Sequence, residues 1–278
     1  MAKRKRTSGT NQEGGGYKDV YRQVFDILKK DPTIWILFSI LAILDVIALT
    51  CLFLAHSQPF SVVLAPVIRT FYSDKFLHYP ANFILLPKIF NHAHLIITSF
   101  IGVIVTGVVI KKIEAHVRGA APMTTFEAGK SVLRRYFAVL VAWIFSYGLF
   151  RIVFGYSLPL FGHNIVMFLA GAFLIGLCLQ SIVVFLLPAI LIKDLSLLKG
   201  IGEGLKFGIR NLPMAALIIS IPMAMIVALS FVKMLTPLWI QIFPEMILGI
   251  LFFGIILMTA VDLIITSSAT VLYLKVRN

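Results

Sequence analysis

Six long apolar blocks constrain this chain more than any other feature: residues 34–55, 94–110, 137–154, 165–192, 214–234 and 246–274. Each is apolar all round rather than along one stripe, so none reads as the buried face of a soluble helix. At ~1.5 Å per residue the first block reaches about 33 Å, enough to cross a ~30 Å hydrocarbon core. The fourth and sixth blocks are too long for one perpendicular crossing, and splitting either would leave pieces too short to span. They predict helices that tilt or continue past the headgroups. Composition excludes the alternatives: 59% of the 278 residues are hydrophobic and 13% charged, against ~45–50% and ~25% in soluble domains. With a mean hydropathy of +0.97, a soluble enzyme, a disordered chain and a disulfide-stapled secreted domain are all ruled out. The predicted fold is all-α: a polytopic membrane protein of six transmembrane helices. The first block is a full span rather than a short leader core, so no cleavable signal is expected.

Lys and Arg are shared unevenly among the connections. One side of the membrane carries 20 of the 25, and the other only Arg69, Lys75, Lys88, Arg151 and Lys233. The positive-inside rule then predicts a cytoplasmic N-terminus and C-terminus. The same asymmetry accounts for the formal charge of +13. Lys3-Arg4-Lys5-Arg6 invites a nucleic-acid reading, but a basic tail resting on anionic lipid explains it better, at ~1 kcal/mol per charge near the surface. Residues 1–16 are expected to be a disordered cytoplasmic tail and 17–278 a single six-helix domain, with no nucleic-acid partner. Cys51 and Cys178 lie inside predicted spans and are expected to pack as small hydrophobes.

Between the spans a threefold pattern emerges, with repeat-like units of about 17–113, 123–192 and 195–278. Tyr17, Val20, Tyr21, Val24, Phe25, Ile27 and Leu28 recur at helical spacing before the first span, opposite Lys18, Arg22, Lys29 and Lys30. This is an amphipathic helix suited to the headgroup boundary, broken by Asp31-Pro32. Thr124-Thr125-Phe126-Glu127 reads as a capping box opening a second such helix, with Phe126, Leu133, Tyr136 and Phe137 as its apolar side. Leu197, Ile201, Leu205 and Leu212 line a third. The chain is therefore expected to form three hairpins, each preceded by an amphipathic interfacial helix, with a longer external segment at 57–91. The even-numbered spans share glycine pairs at equal spacing: Gly102 and Gly107, Gly171 and Gly176, Gly249 and Gly254. Small residues let helices approach, so all six are candidate packing positions.

The run Phe185-Leu186-Leu187-Pro188-Ala189-Ile190-Leu191-Ile192-Lys193-Asp194, followed by Gly202-Glu203-Gly204-Leu205-Lys206-Phe207-Gly208-Ile209-Arg210-Asn211, resembles bacterial six-span proteins with a glycerophosphodiester-phosphodiesterase-type membrane domain, and related uncharacterised membrane proteins. The shared pattern is an apolar helix with a late Pro, an acidic turn and a short helix of small residues beside Lys or Arg. It departs by placing Gly204 and Gly208 where Ala and Ser are usual. The resemblance implies a six-helix fold in a bacterial or archaeal cell (inner) membrane. It does not imply phosphodiesterase activity, because that chemistry resides in a separate soluble barrel of ~250 residues.

Several motifs dissolve on inspection. Ala128-Gly129-Lys130-Ser131 ends like a phosphate-binding loop, but Thr124 stands where its first Gly must be. Gly200, Gly202 and Gly204 lack the strand and spacing of a dinucleotide fingerprint, while Gly200, Gly204 and Gly208 fall on one helical face. His92 and His94 sit with His56, His78 and His163 on the external side and read as headgroup-level residues rather than a metal pair. No cofactor, metal or catalytic set is expected, which points to a non-enzymatic protein. Its basic interfacial residues Lys29, Lys30, Arg134, Arg135, Lys206 and Arg210 would bind anionic membrane lipid or a protein partner. The alternative is a small transporter or permease subunit. Asp45, Gln180 and Asp262 fall at one depth, about 16–18 Å from the presumed cytoplasmic helix ends, and intramembrane acids are costly. Interhelical hydrogen bonding is the plainer account of that layer, and a proton- or cation-coupled site the sharper one.

Overall fold

A computed structural model describes residues 16–72, 74–78, 81–161, 164–236, 238 and 243–277. The basic cluster Lys3–Arg6, the bulk of the expected tail and His163 lie outside the described residues. The described residues are helical, without strands. The elements are α1 (Tyr17–Lys30), α2 (Thr33–Phe53), α3 (Phe60–Tyr72), α4 (Ala81–Ile97), a π-turn (Thr98–Gly102), α5 (Val103–Val117), α6 (Thr125–Leu133) and α7 (Tyr136–Ser157). They continue as α8 (Ile165–Val183), α9 (Leu186–Lys193), α10 (Leu197–Arg210), α11 (Leu212–Met234) and α12 (Met246–Arg277). Six helices are long and apolar enough to cross a membrane: Thr33–His56, Asn82–Val117, Tyr136–Ser157, Ile165–Lys193, Leu212–Met234 and Met246–Val276. The protein is an all-α, multi-pass membrane protein.

Helix packing has a cyclic order. The three even-numbered spans (α4–α5, α8–α9, α12) carry the centre, with α5 touching both α9 and α12. Each odd span lies between its own even partner and the even span of the preceding hairpin. α2 packs on α4 and α12, α7 on α8 and α5, and α11 on α12 and α8. The short amphipathic helices follow the same rule: α6 lies on α5, α10 on α9, and α1 closes the circle on α12. Long even spans are what this requires, because each continues past the bilayer core to carry an amphipathic helix.

The larger of two apolar clusters forms at this end, the α1 face. It joins Val20, Val24 and Ile27 of α1 to Val109 and Ile113 of α5, Val132 of α6, Phe185 and Ile190 near α9, and Val271 and Tyr273 of α12. In α6 the buried residues are Ala128 and Val132, while Phe126, Leu133 and Phe137 are exposed. The apolar side read from the sequence is thus exposed, as suits an interfacial helix, while the face seated on α5 carries the small and β-branched side chains of Ala128 and Val132. Both halves of the Thr124–Glu127 capping box are made, and that hydrogen bonding holds the exposed Glu127 carboxyl below its ordinary range. The Ala128–Ser131 stretch is continuous helix, so no phosphate loop exists there.

The glycine face of α10 is its seat on α8 and α9. An added Cβ at Gly208 would collide with the Ile182 carbonyl oxygen and lie 2.7 Å from Ile182 Cα, and one at Gly204 would lie 2.8 Å from Leu186 Cα. Gly107 meets Val132 and Leu191, Gly171 meets Phe161, Gly176 meets Met223 and Phe154, and Gly254 meets Leu229 and Lys233. Gly102 touches chiefly Thr98 of its own turn. Gly249 is a correction: a Cβ there would meet nothing within 4 Å, because an apolar groove opens between α11 and α12 at that level.

Several charges at the α1 face are locked in pairs. Lys112 Nζ lies 3.1 Å from Asp31 Oδ2 and donates to the Met123 carbonyl, binding the α1–α2 turn to the end of α5. Burial opposes ionisation of Asp31, but hydrogen bonds from Thr33 and Lys112 and the nearby Lys112 charge hold its carboxyl below the usual range. Glu114 pairs with Lys111 at 3.0 Å and Arg118 at 2.7 Å. Arg135 donates to the Leu195 and Asp194 carbonyls at 2.7 and 2.8 Å, and its Nε lies 3.2 Å from the Asp194 carboxylate. It clamps the α9–α10 turn, where Asp194 adopts a left-handed φ of 53°, and so is a structural tie rather than a free lipid contact.

Candidate functional site

The intramembrane polar residues meet in one place. A cavity of about 300 Å³ lies among α2, α4–α5, α7, α8–α9 and α12, and Asp45, Gln180 and Asp262 all line it. His94 joins them. Its Nδ1 lies 2.9 Å from Asp45 Oδ2, and Thr98 Oγ1 sits 3.5 Å from its Nε2. Asp262 of α12 and Lys233 of α11 also lie within electrostatic reach of the imidazole. His94 is therefore not a headgroup residue. The second transmembrane helix begins well before it, because α4 starts at Ala81 within the expected external segment. His92 stays exposed, with Nδ1 2.8 Å from the Lys88 carbonyl, and no metal-ligating cluster occurs among the described residues.

Asp45 is only half satisfied. Its side chain is buried, Oδ2 is engaged by His94, and Oδ1 has no hydrogen-bond partner. A buried acceptor without a donor costs about 1–3 kcal/mol, so the chamber as built favours a guest that donates. Asp262 lines the same space and has no hydrogen-bond partner among the described residues. To the same lining α7 contributes Trp143 and Tyr147, stacked at 5.6 Å with planes 4° apart. Aromatic faces of this kind attract cations.

Two spans depart from regular α-helix where they line the chamber. The π-turn at Thr98–Gly102 replaces regular α-helix, and both of its end residues face the cavity. Such bulges are frequent at functional sites. Between α8 and α9 the chain turns at Val184 and Phe185. Pro188 then has no N–H to return to the Val184 carbonyl, and both residues line the cavity. Backbone carbonyls freed by such local departures from α-helix are tolerated within a span where they line a cavity rather than lipid.

The basic residues occupy the other level of the molecule. Lys29, Lys30, Arg134, Lys206 and Arg210 are exposed at the ends of α1, α6 and α10 and form no ion pair among the described residues. Cys51 and Cys178 are free thiols. Compared with known family models, curated proteins and solved structures, the chain matches none.

Proposed function

We propose that the chain is a small non-enzymatic carrier whose midplane chamber binds a protonated solute or a proton. One observation carries this reading: Asp45, His94, Gln180 and Asp262, from four different spans, converge on one cavity that leaves a buried carboxylate oxygen without a donor. Ionisable groups in hydrocarbon persist where they face a cavity and a function. Helix-to-helix bonding alone accounts for the Asp45–His94 contact but not for Asp262, which lines the cavity with no hydrogen-bond partner among the described residues. The test uses purified protein in liposomes with an internal pH dye and an imposed methylammonium gradient. Saturable wild-type flux, lost in Asp262→Asn at unchanged melting temperature, is the expected result. Wild-type vesicles that dissipate neither a proton nor a methylammonium gradient would reduce the polar layer to structural glue.

A second reading concerns the rim. Five exposed cations without acidic partners suit anionic lipid on a cytoplasmic α1 face, at ~1 kcal/mol per charge. Native mass spectrometry should then detect weakened anionic-lipid retention when Lys29, Lys30, Arg134, Lys206 and Arg210 are neutralised together. External labelling of a cysteine at Lys130 or Lys206 in intact cells would reverse the orientation.

A further inference from the structure

The chamber has a neighbour that narrows its solute class, an inference that rests on the carrier reading above. On the lipid side of α2 and α12 runs an apolar groove of about 480 Å³, walled by Ala42, Ile43 and Ile47 of α2 and by Phe252, Ile256 and Ala260 of α12. Phe38 and Thr259 line both this groove and the chamber. The barrier between bilayer and polar cavity is there one side chain thick. The Thr259 hydroxyl is turned back onto the Ile255 carbonyl at 2.8 Å, so it does not bolt Phe38 in place.

The chamber asks for donors and positive charge. Asp45 Oδ1 is buried without a donor, Asp262 has no hydrogen-bond partner among the described residues, and the stacked Trp143 and Tyr147 line the same cavity. An ammonium group supplies three N–H donors and a cation for the aromatic faces. At about 300 Å³ the cavity stands at the floor of the ~300–1,000 Å³ range of sites that enclose a whole small molecule. It holds a headgroup and little more. An alkyl chain attached to that head has an apolar bed directly across the Phe38–Thr259 wall. We propose that the solute is a single-chain amphiphilic amine that enters sideways from the bilayer. Its ammonium lies between Asp45 and Asp262, and its tail lies in the α2–α12 groove.

The test uses the full chain in nanodiscs of zwitterionic lipid, titrated with dodecylamine carrying a terminal bromine. Trp35 lines the groove, so bromine in the tail should quench it, read as the difference from Trp35→Phe. Quenching should saturate at low mole fraction, and its midpoint should rise by roughly tenfold or more in Asp45→Asn/Asp262→Asn. A bromododecanol of equal length should quench only in proportion to its amount. Because the acid variants risk misfolding, Ala260→Phe fills the groove and leaves the acids alone. It should abolish saturable quenching while keeping the rise in melting temperature given by methylammonium. Bromoamine and bromoalcohol quenching alike would assign the groove to bulk lipid and overturn the sideways site, although methylammonium stabilisation would leave the chamber reading standing. Trp35 shielded from both probes in a dimeric protein would assign the groove to a second copy and overturn it equally. If neither amine acts on the wild type, both readings fall.

Discussion

Replacing Lys112 with methionine tests how the α1 face is held together. The Lys112 and Asp31 side chains are 5% and 11% exposed and 3.1 Å apart, so the substitution strips a buried carboxylate of its ammonium partner. Breaking one side of a buried pair costs ~3–5 kcal/mol. Asp31 keeps its bonds from Thr33 Oγ1 and N, at 2.5 and 3.2 Å, which argues for the lower end. About 3 kcal/mol corresponds to a drop of roughly 6–12 °C in melting temperature for a chain near this size. Neutralising both members, Asp31→Asn with Lys112→Met, leaves no orphan charge and should cost only about 1 kcal/mol. Thermal unfolding in a mild detergent, run as a double-mutant cycle with Lys206→Met as an exposed control, measures these differences. A Lys112→Met protein no less stable than the control, or single-variant losses that simply add in the double, would refute the view of this pair as a buried latch.

Further expectations follow from other contacts. Since the folded Asp31 pKa lies below its ordinary 3.8, its stabilisation is complete above that value and fades as pH falls through the folded one; in an acid titration wild type should stay more stable than Asp31→Asn by a constant margin above about pH 4, and the two should converge below it. Gly208→Val drives two methyls into the Ile182 backbone, and overpacking of about 1–3 kcal/mol or more should appear as a lowered melting temperature and protease cleavage near the α9–α10 turn. Asp194→Val forces a β-branched residue into the left-handed region and removes the carboxylate beside Arg135 Nε, costing about 2 kcal/mol. Arg135→Gln should cost less in the same unfolding assay, since the turn keeps its Asp.

Hydrophobic length alone was enough to read the six spans, and charge alternation enough to read the three amphipathic helices. Depth counting put Asp45, Gln180 and Asp262 on one level, but a level is not a contact, and nothing local in the sequence says which faces of α2, α8 and α12 turn inward. His94 was hidden for a specific reason. Pro87, Lys88, Asn91 and His92 make residues 81–93 look like an external loop. Yet Phe83, Leu86 and Phe90 recur at helical spacing and are buried against Leu49, Ile68 and Leu251. That periodicity was the signal that α4 begins early and that His94 lies inside the span. The π-turn had no comparable signal, and neither did the commitment of Arg135, because its partners are the Asp194 and Leu195 carbonyls. The glycines of α10 were visible as one face, whereas Gly249 looked identical to its counterparts and faces a groove.

The closing of the circle by α1 on α12 bears on how the protein is made. α1 precedes all six spans in the chain, yet its apolar residues Val20, Val24 and Ile27 have their seat on α12, which follows the other five. Until α12 is inserted, α2 lacks one of its two flanking helices and the chamber lacks a wall. α1 must wait at the headgroup layer, where its basic, amphipathic character keeps it soluble in the interface. Lys275 Nζ lies 3.4 Å from the Asp19 carbonyl in the finished protein, so a short linker could join residue 277 to residue 16. The chain could then be opened between α5 and α6. Such a permutant would complete its ring with α5 arriving last, and comparing its insertion yield with that of the natural order would reveal whether biogenesis depends on which hairpin leads.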